Sequence, residues 1–332
     1  LIGETGNLLV GVAYQLIHLA ERRADAFLGY VEERLLRLFH HLIQIIGRVI
    51  GQGINLRGGE HELAQNGLPF DDIDMAMMMH SQGNAPEKAV YIGKSSNGFV
   101  GKTVQYIGKT AHAANAPHEG INALNAACLG IMGINALRET FKEDDMVRVH
   151  PIITKGGDLV NNVPSDVRME LYVRAKTMEA IDCQHRRVDE ALKAGGAAVG
   201  AKTVIETLPG MFPLACSPRL NDLFVENIKE YFPETKIEDA GHFTASTDMG
   251  DISHLMPSIH PFIGGVDGGL HTKDFCVTDF DAAAILPGKV FAMNIIDLLY
   301  DEAAMAKEIL EKEKPILTKE EYLAKLESYF QS

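Results

Sequence analysis

Residues 111–124 read AHAANAPHEGINAL and place one histidine, His112, on a turn directly before a long helix. The preceding residues 102–107 alternate between apolar and polar side chains, which predicts a strand. From Ile121 to Phe141 apolar residues recur at helical spacing, so one face of this helix is expected to pack on a sheet. The stretch therefore predicts a strand, a turn that presents a histidine, and an amphipathic helix.

The same pattern continues toward the C-terminus and predicts a complete small domain. A β-rich run covers residues 147–154, and alternating apolar residues cover 167–173. A second helical pattern around Val188 is followed by a short strand at 203–205. The order βαββαβ is that of a ferredoxin-like sandwich, and we predict this domain over residues 98–210.

The flanking segments have the pattern of a larger α/β layer. Residues 73–79 are an almost continuous apolar run that ends at His80, as expected for a strand buried on both faces of a parallel sheet. The remaining elements that the pattern predicts are a helix around 220–228, a strand at 259–263, a helix at 282–299, and a solvated helix or two in the tail 301–332. Residues 1–97 and 211–332 are thus predicted to form one discontinuous α/β domain.

Composition limits the partners of the chain. The 332 residues include 46% hydrophobic and 23% charged residues, enough for a sizeable core, and the net charge of −14 argues against nucleic acid or an anionic membrane surface. No apolar run reaches the roughly 20 residues of a membrane helix, and the start is not that of a signal peptide. The start at Leu1 rather than Met leads us to expect a fragment or a start lost upstream. The four cysteines lack metal-binding spacing, which favours free thiols in a reducing cytoplasm; they are Cys128, Cys183, Cys216 and Cys276.

Two histidines stand where a metal ligand could lie. His80 follows a strand, and open α/β sheets bind ligands beyond the carboxyl ends of their strands; the alternative is a histidine that caps the strand. His271 follows a glycine-rich loop, which is either a flexible ligand loop or an ordinary surface turn. Two imidazoles alone make a poor zinc site, since zinc takes three protein ligands plus water, or four.

Four motifs together resemble one protein family: residues 111–124, Asn161-Asn162-Val163-Pro164, Ser246-Thr247-Asp248-Met249, and Gly268-Gly269-Leu270-His271. They resemble metallopeptidase family M20, the co-catalytic zinc amidohydrolases and dipeptidases. The motif that begins at Ser246, taken with the residues up to 261, most closely resembles the branch of aminobenzoyl-glutamate hydrolases and of dipeptidases that act before basic residues.

The resemblance implies a metal-dependent hydrolase of N-acyl amino acids or dipeptides. The implied fold is an incomplete phosphorylase/hydrolase-like catalytic α/β domain with an inserted ferredoxin-like lid and dimerisation domain. It also implies two zinc ions per chain in the family, a small amide or dipeptide substrate, and a homodimer formed through residues 98–210.

The resemblance also assigns roles to single residues. His80 and His271 match zinc ligands, and His112 matches the histidine that stabilises the oxyanion of the tetrahedral intermediate across a domain or dimer boundary. Asn162 matches a substrate contact from the lid, although an isolated asparagine there is more often an ordinary turn residue. Further along the chain, Ser246, Thr247 and Asp248 either bind substrate or cap the next helix, and His254 and His260 either shape a pocket or are structural.

The N-terminal segment departs from the family pattern. Thr5-Gly6-Asn7 stands where the family has a Cys or His, a glycine and a metal-binding His, and Gly51–Asn55 stands where it has two consecutive glutamates. One of those glutamates is the general base and the other binds metal; Glu60 or Glu62 would be substitutes outside the usual turn. Three hypotheses remain open: a hydrolase with unconventional ligands, a non-catalytic dimeric binding protein, and a frameshift over residues 1–57.

The missing carboxylates predict weak metal binding. We expect less than about one tightly bound zinc ion per chain and negligible amidase activity, because loss of the general base alone costs roughly 10²–10⁴ in rate. Metal analysis of the purified protein, paired with an assay on an acyl-amino acid, measures both. Two bound metals together with turnover would contradict this prediction.

Overall fold

The computed structural model of the chain describes residues 73–330, which form a small domain inserted into a larger α/β layer. Positions 5–7, 51–55, 60 and 62 lie outside the described residues. The strands are β1 (Ala76–Met77), β2 (His80–Ser81), β3 (Ala89–Ser96), β4 (Gly98–Ile107), β5 (Arg148–Lys155), β6 (Asp166–Ala175), β7 (Lys202–Met211), β8 (Lys236–Phe243), β9 (Ser258–Ile259), β10 (Phe262–Ile263), β11 (Val266–Asp267) and β12 (Cys276–Val277). The α-helices are α1 (Ala123–Leu137), α2 (Met178–Val199), α3 (Pro218–Tyr231), α4 (Met249–Leu255), α5 (Leu286–Lys312) and α6 (Lys319–Phe330).

The small domain has the predicted βαββαβ order. Its antiparallel sheet runs β5-β6-β4-β7, and α1 and α2 cover one face of it. Asn122 begins α1, where its side-chain oxygen accepts the backbone N–H groups of Leu124 and Asn125. The two helices meet at glycines, since a Cβ on Gly195 would lie 2.4 Å from the backbone nitrogen of Gly130. Because the glycines let the two helices pack closely side by side, both helices lie on the same face of the sheet.

A charged side chain is buried between α2 and this sheet. The ammonium of Lys102 on β4 donates to Asp189 and to Thr207, and it lies 3.3 Å from the Nδ1 of His185. Burial lowers the pKa of Lys102 and raises that of Asp189. Because a buried charge is tolerated only when paired, this network holds α2 in one position on the sheet.

The large domain contains a mixed sheet instead of the parallel one predicted. Its order is β2-β10-β3-β8, in which β10 is parallel to β2 and antiparallel to β3, while β1 pairs with β9 beside it. Within the predicted strand at 73–79 only Ala76–Met77 forms a strand, and its residues are half-buried, so the expectation of burial on both faces was wrong for the described structure. Between β9 and β10, Pro261 has no N–H to donate, although its carbonyl oxygen accepts the backbone N–H of His80 at 3.0 Å.

The C-terminal region differs most from its prediction. The helix expected at 282–299 is preceded by a π-helical turn and extends to Lys312 as α5, with non-helical backbone at residues 300–303. Among the described residues, Asp281–Lys312 is one helical stretch long and apolar enough to span a membrane, yet its Leu286, Val290 and Leu298 belong to the core of the large domain. The tail is not merely solvated, because α6 buries Tyr322, Leu326 and Tyr329.

The chain passes between the two domains at adjacent strands. It enters the small domain through Ser96 and Asn97 and leaves it after Met211, and Phe99 is paired with Met211 across the sheet. His242 on β8 joins this region, with its Nδ1 2.9 Å from Ser95 Oγ and its Nε2 2.9 Å from Asn97 Oδ1. These paired crossings, which we name the hinge, lie together at the boundary of the two domains beside the large sheet.

Candidate functional site

His80 is the first residue of the short strand β2, which follows β1 in the same stretch of chain. Its Nδ1 lies 2.8 Å from the carbonyl oxygen of Ser81. A ring nitrogen that donates to a carbonyl leaves Nε2 with a lone pair, and this arrangement is typical of histidines that bind metals.

His260 lies beside His80 and is almost completely enclosed. The two rings are 5.9 Å apart in an edge-to-face arrangement, and His260 is 1% exposed. Burial, together with the neighbouring His80, lowers the pKa of His260 to about 4, so its imidazole is neutral near pH 7. Neither ring nitrogen has a hydrogen-bond partner among the described residues.

The loop that carries His271 is attached to the segment after His80. Asn84 donates to the carbonyl oxygen of Gly268 at 2.9 Å, and Ala85 donates to that of Val266 at 3.0 Å. His271 itself is exposed in a turn with φ of 60°. The structure thus connects the two loops that carry the predicted metal ligands.

Within residues 73–330, no three His, Cys, Asp or Glu side chains lie close enough together to hold a metal ion. His80 is oriented as a ligand would be, but this part of the chain supplies no complete donor set. Residues 73–330 by themselves therefore do not fit the two-zinc centre that the sequence resemblance implied.

His112 lies in an exposed turn of the small domain with a defined ring orientation. Its Nδ1 accepts the backbone N–H groups of Ala114 at 3.2 Å and Asn115 at 3.0 Å. Since Nδ1 uses its lone pair for these bonds, the proton of the neutral ring is on Nε2, which can donate to a ligand. The local fold thus makes His112 a hydrogen-bond donor.

Asn162 lies next to His112, as the sequence motifs implied. The two residues form an isolated antiparallel bridge, and Ala113 donates to the carbonyl oxygen of Asn161 at 2.8 Å. A groove of 580 Å³ opens beside them. Its lining includes Pro117, Leu124, Leu159, Val160, Asn162 and Pro164.

The segment of Ser246, Thr247 and Asp248 lies where the large domain meets the small one. Asp248 caps α4 by accepting the N–H of Met249 at 3.0 Å, which agrees with the capping interpretation. Ser246 instead contacts the small domain, since the guanidinium of Arg174 donates to its hydroxyl at 3.0 Å. In this loop, Asp248 therefore caps a helix while Ser246 lies at the boundary between the domains.

Arg174 is a candidate functional residue that the sequence patterns did not indicate. Its guanidinium is half-buried, 5.2 Å from the ring of Phe99 and 5.4 Å from that of Tyr172. Burial lowers its pKa, and no carboxylate in residues 73–330 pairs with it. Only the pairing of Phe99 with Arg174 across β4 and β6 brings these side chains together, and no spacing in the sequence indicates that register.

His254 has the contacts of a structural histidine. His254 is buried on α4, its Nε2 lies 2.9 Å from the carbonyl oxygen of Pro213, and its ring packs edge-to-face on Phe212. Burial lowers its pKa. These contacts hold α4 against the segment that follows β7.

Comparison with known proteins supports the resemblance of this chain to the M20 family. Residues 95–199 match the M20 peptidase dimerisation domain. The chain is 32% identical over 256 residues to the Xaa-Arg dipeptidase of Mus musculus, covering 75% of this chain and 58% of that protein. It is 34% identical over 158 residues to one of the subunits of p-aminobenzoyl-glutamate hydrolase from Escherichia coli K12, covering 48% of this chain and 31% of that protein.

Solved structures share the fold at low sequence identity. A Bacillus subtilis protein described as a dinuclear metal-binding peptidase of the M20 family has a TM-score of 0.57 at 16% identity, covering 74% of this chain and 63% of that one. An aminohydrolase from Staphylococcus aureus has a TM-score of 0.60 at 16% identity, covering 72% of this chain and 62% of that one. The chain thus spans less than two thirds of these proteins.

The hydrogen bonds at His112 predict its tautomer. Because two backbone N–H groups occupy Nδ1, we expect the neutral ring to carry its proton on Nε2. Long-range ¹H–¹⁵N spectra at pH above 8 distinguish the two tautomers, and His118 in the same turn is the internal reference. A His112 signal in which Nδ1 carries the proton would refute the assignment.

Proposed function

Because the chain belongs to the M20 peptidase family, we propose that it binds N-acyl amino acids or dipeptides as an amidohydrolase of the dipeptidase and aminobenzoyl-glutamate hydrolase branch. The observation that carries this proposal is the guanidinium of Arg174 beside Ser246, which has no acidic partner in residues 73–330 and lies at the boundary of the two domains. Dipeptides and N-acyl amino acids share a free carboxylate, the group that such a guanidinium recognises.

A carboxylate ligand would complete the hydrogen bonding of Arg174. A guanidinium presents several N–H donors in one plane, and among the described residues Arg174 makes only one contact with an acceptor. The rings of Phe99 and Tyr172 fix its plane. A fixed guanidinium that lacks an acidic partner is well suited to two parallel hydrogen bonds with a substrate carboxylate.

His112 has the properties required to stabilise an amide as it reacts. Attack on an amide carbonyl places negative charge on its oxygen, and a fixed N–H donor lowers the energy of that state. The backbone bonds to Nδ1 direct the proton of His112 to Nε2, so no rearrangement is needed when the charge develops. The adjacent Asn162 adds a second polar side chain beside the groove.

Arg174 and His112 lie toward opposite ends of the small sheet, which supports a dimer. Arg174 pairs with Phe99 at the hinge end of β4, whereas His112 follows the far end at Ile107. Ten residues of strand extend roughly 30 Å. One small substrate does not span that distance, so we propose that His112 of one protomer acts at the site of its partner.

The free side of the small domain fits such a dimer. The edge strand β5 pairs only with β6 among the described residues, and α1 exposes Leu129 and Met132 on the helical face of the domain. Ile152 on β5 is also half exposed. An edge strand beside exposed apolar side chains can add a second copy by strand pairing and helix packing.

The two candidate functions, hydrolase and binding protein, differ in whether the chain holds a catalytic metal ion. The described residues supply His80 and the loop of His271, and any zinc ion bound there depends on donors from outside residues 73–330. The departures of residues 5–7 and 51–55 from the family pattern favour the second candidate, a dimeric binding protein of the same fold. Both candidates keep the carboxylate site at Arg174, and only hydrolysis separates them.

Removal of the Arg174 charge tests the proposed site. We expect Arg174→Met to weaken binding of p-aminobenzoyl-glutamate and of a dipeptide ending in arginine by about tenfold to a hundredfold, because a charged hydrogen bond is lost. Calorimetry measures this without any need for turnover. Arg168→Met, on the same strand next to Asp166, is the control and should keep the wild-type affinity.

Turnover measured with added Zn²⁺ distinguishes hydrolase from binding protein. Release of the amino acid from either ligand supports the hydrolase, while binding without release supports the second candidate. Equal affinity in wild type and Arg174→Met, or no binding of either ligand, would refute the proposed carboxylate site.

A charge on the exposed face of α1 tests the dimer. We expect the wild-type protein to sediment at twice the mass of one chain, and Met132→Glu to shift it toward a single chain, because a carboxylate would have to be desolvated at the interface. Tyr231→Glu, at an exposed position of α3 in the large domain, is the control. A wild-type monomer, or an unaltered dimer in Met132→Glu, would contradict the proposed interface.

A further inference from the structure

Helix α6 is fixed in place by signals at its own N-terminus. Thr318 and Glu321 form a reciprocal capping box, in which each side chain accepts the backbone N–H of the other residue. Just before this cap, Leu317 donates to the carbonyl oxygen of His254 at 3.0 Å. The start of α6 is thereby tied to the end of α4 in the large domain.

The first half of α6 is anchored near the hinge. The hydroxyl of Tyr322 donates to Asp251 on α4 at 3.1 Å, and its ring packs edge-to-face on Phe212 at 5.2 Å. The other oxygen of Asp251 accepts the backbone N–H of Phe212 at 3.3 Å. This anchor joins α6, α4 and the chain segment that leaves the small domain.

The second half of α6 is anchored on the small domain. The hydroxyl of Tyr329 donates to Asp182 on α2 at 2.8 Å, and Lys325 forms an ion pair with the other oxygen of the same carboxylate. The ring of Tyr329 packs edge-to-face on His185 at 5.8 Å. His185 contacts the buried Lys102, so this anchor reaches the core of the small domain.

The first anchor lies at the chain crossing itself, and the second adds a contact on α2 of the small domain. Adjacent crossings such as those at Asn97 and Phe212 leave a rotation about one axis free, and domain closure in proteins commonly uses such a hinge. Asp182 is the fifth residue of α2, so the second anchor is on a helix that is not part of either crossing. A helix bound to both sides of a hinge resists rotation about it.

We propose that α6 is a strap that sets the angle between the two domains, at the angle where Arg174 of the small domain reaches Ser246 of the large one. Residues 73–330 contain one hydrogen bond from Arg174 to that loop, and a small rotation would break it. Release of the C-terminal half of α6 would therefore open the site between the domains. This inference does not depend on hydrolysis or on a bound metal.

The test measures the distance between the domains directly. Spin labels are placed on the native exposed Cys276 of the large domain and, through Lys202→Cys, at the far end of β7, in a background with Cys128→Ser and Cys183→Ser. Labelled protein is diluted with unlabelled protein, so that pulsed electron paramagnetic resonance measures distances between the two labels of one chain. We expect one main distance in the wild type.

The double variant Tyr329→Phe with Lys325→Met removes both polar contacts to Asp182 and keeps the size of the aromatic ring. We expect it to increase the population at a different, open distance about tenfold or more. Asp182→Asn, which keeps an acceptor but removes the ion pair, should have a smaller effect. The matched control is Tyr300→Phe with Lys307→Met, at exposed positions of α5.

Hydrogen exchange gives a second measurement that does not depend on the labels. In the double variant the amides of residues 325–330 should exchange faster while those of α2 stay protected, which excludes unfolding of the small domain. A distance distribution identical to the wild type, with faster exchange in α6, would overturn the proposal, because α6 would then be released without consequence. Unprotected α6 amides in the wild type would also overturn it.

Discussion

The architecture depends on the pairing of β4 with β7, the two strands through which the chain enters and leaves the small domain. The hinge ends of these strands meet at Phe99 and Met211, so both crossings lie at the same end of the strands of the small sheet. Strand β6 runs antiparallel to β4, and its last residues therefore lie at that same end of the sheet. Arg174 is placed at the boundary of the domains by this register alone, while the turn of His112 is placed at the opposite end.

Under the proposed function, this register separates the side chain assigned to the substrate carboxylate from the one assigned to the reacting amide. Arg174 contacts the large domain of its own protomer through Ser246, whereas the turn of His112 lies at the far end of the small sheet. A second copy of the chain would bring the two side chains to one site, and within residues 73–330 the side of the domain with β5 and α1 is exposed. The opposite side, with β7 and α2, is already occupied by α6.

Much of the fold followed from pattern. The alternation and helical periodicity of residues 98–211 produced the correct order of strands and helices, because each element buries one face and leaves the other polar. The large sheet was less predictable. Residues 73–79 looked like a doubly buried strand, yet only Ala76–Met77 is a strand there, and β10 also pairs in the antiparallel sense with β3. The burial of α6 was missed, since its sparse apolar residues resemble those of a solvated helix.

By itself, the sequence determined the βαββαβ order, the histidine before α1, and the resemblance to the M20 family, since these depend on residues close together in the chain. Only the tertiary structure decided that Arg174 meets Ser246 and that α6 joins the domains. Each of these depends on strand register or on contacts that form only in the folded chain. Local propensity carries no information about such contacts, because their energy exists only once the chain has folded.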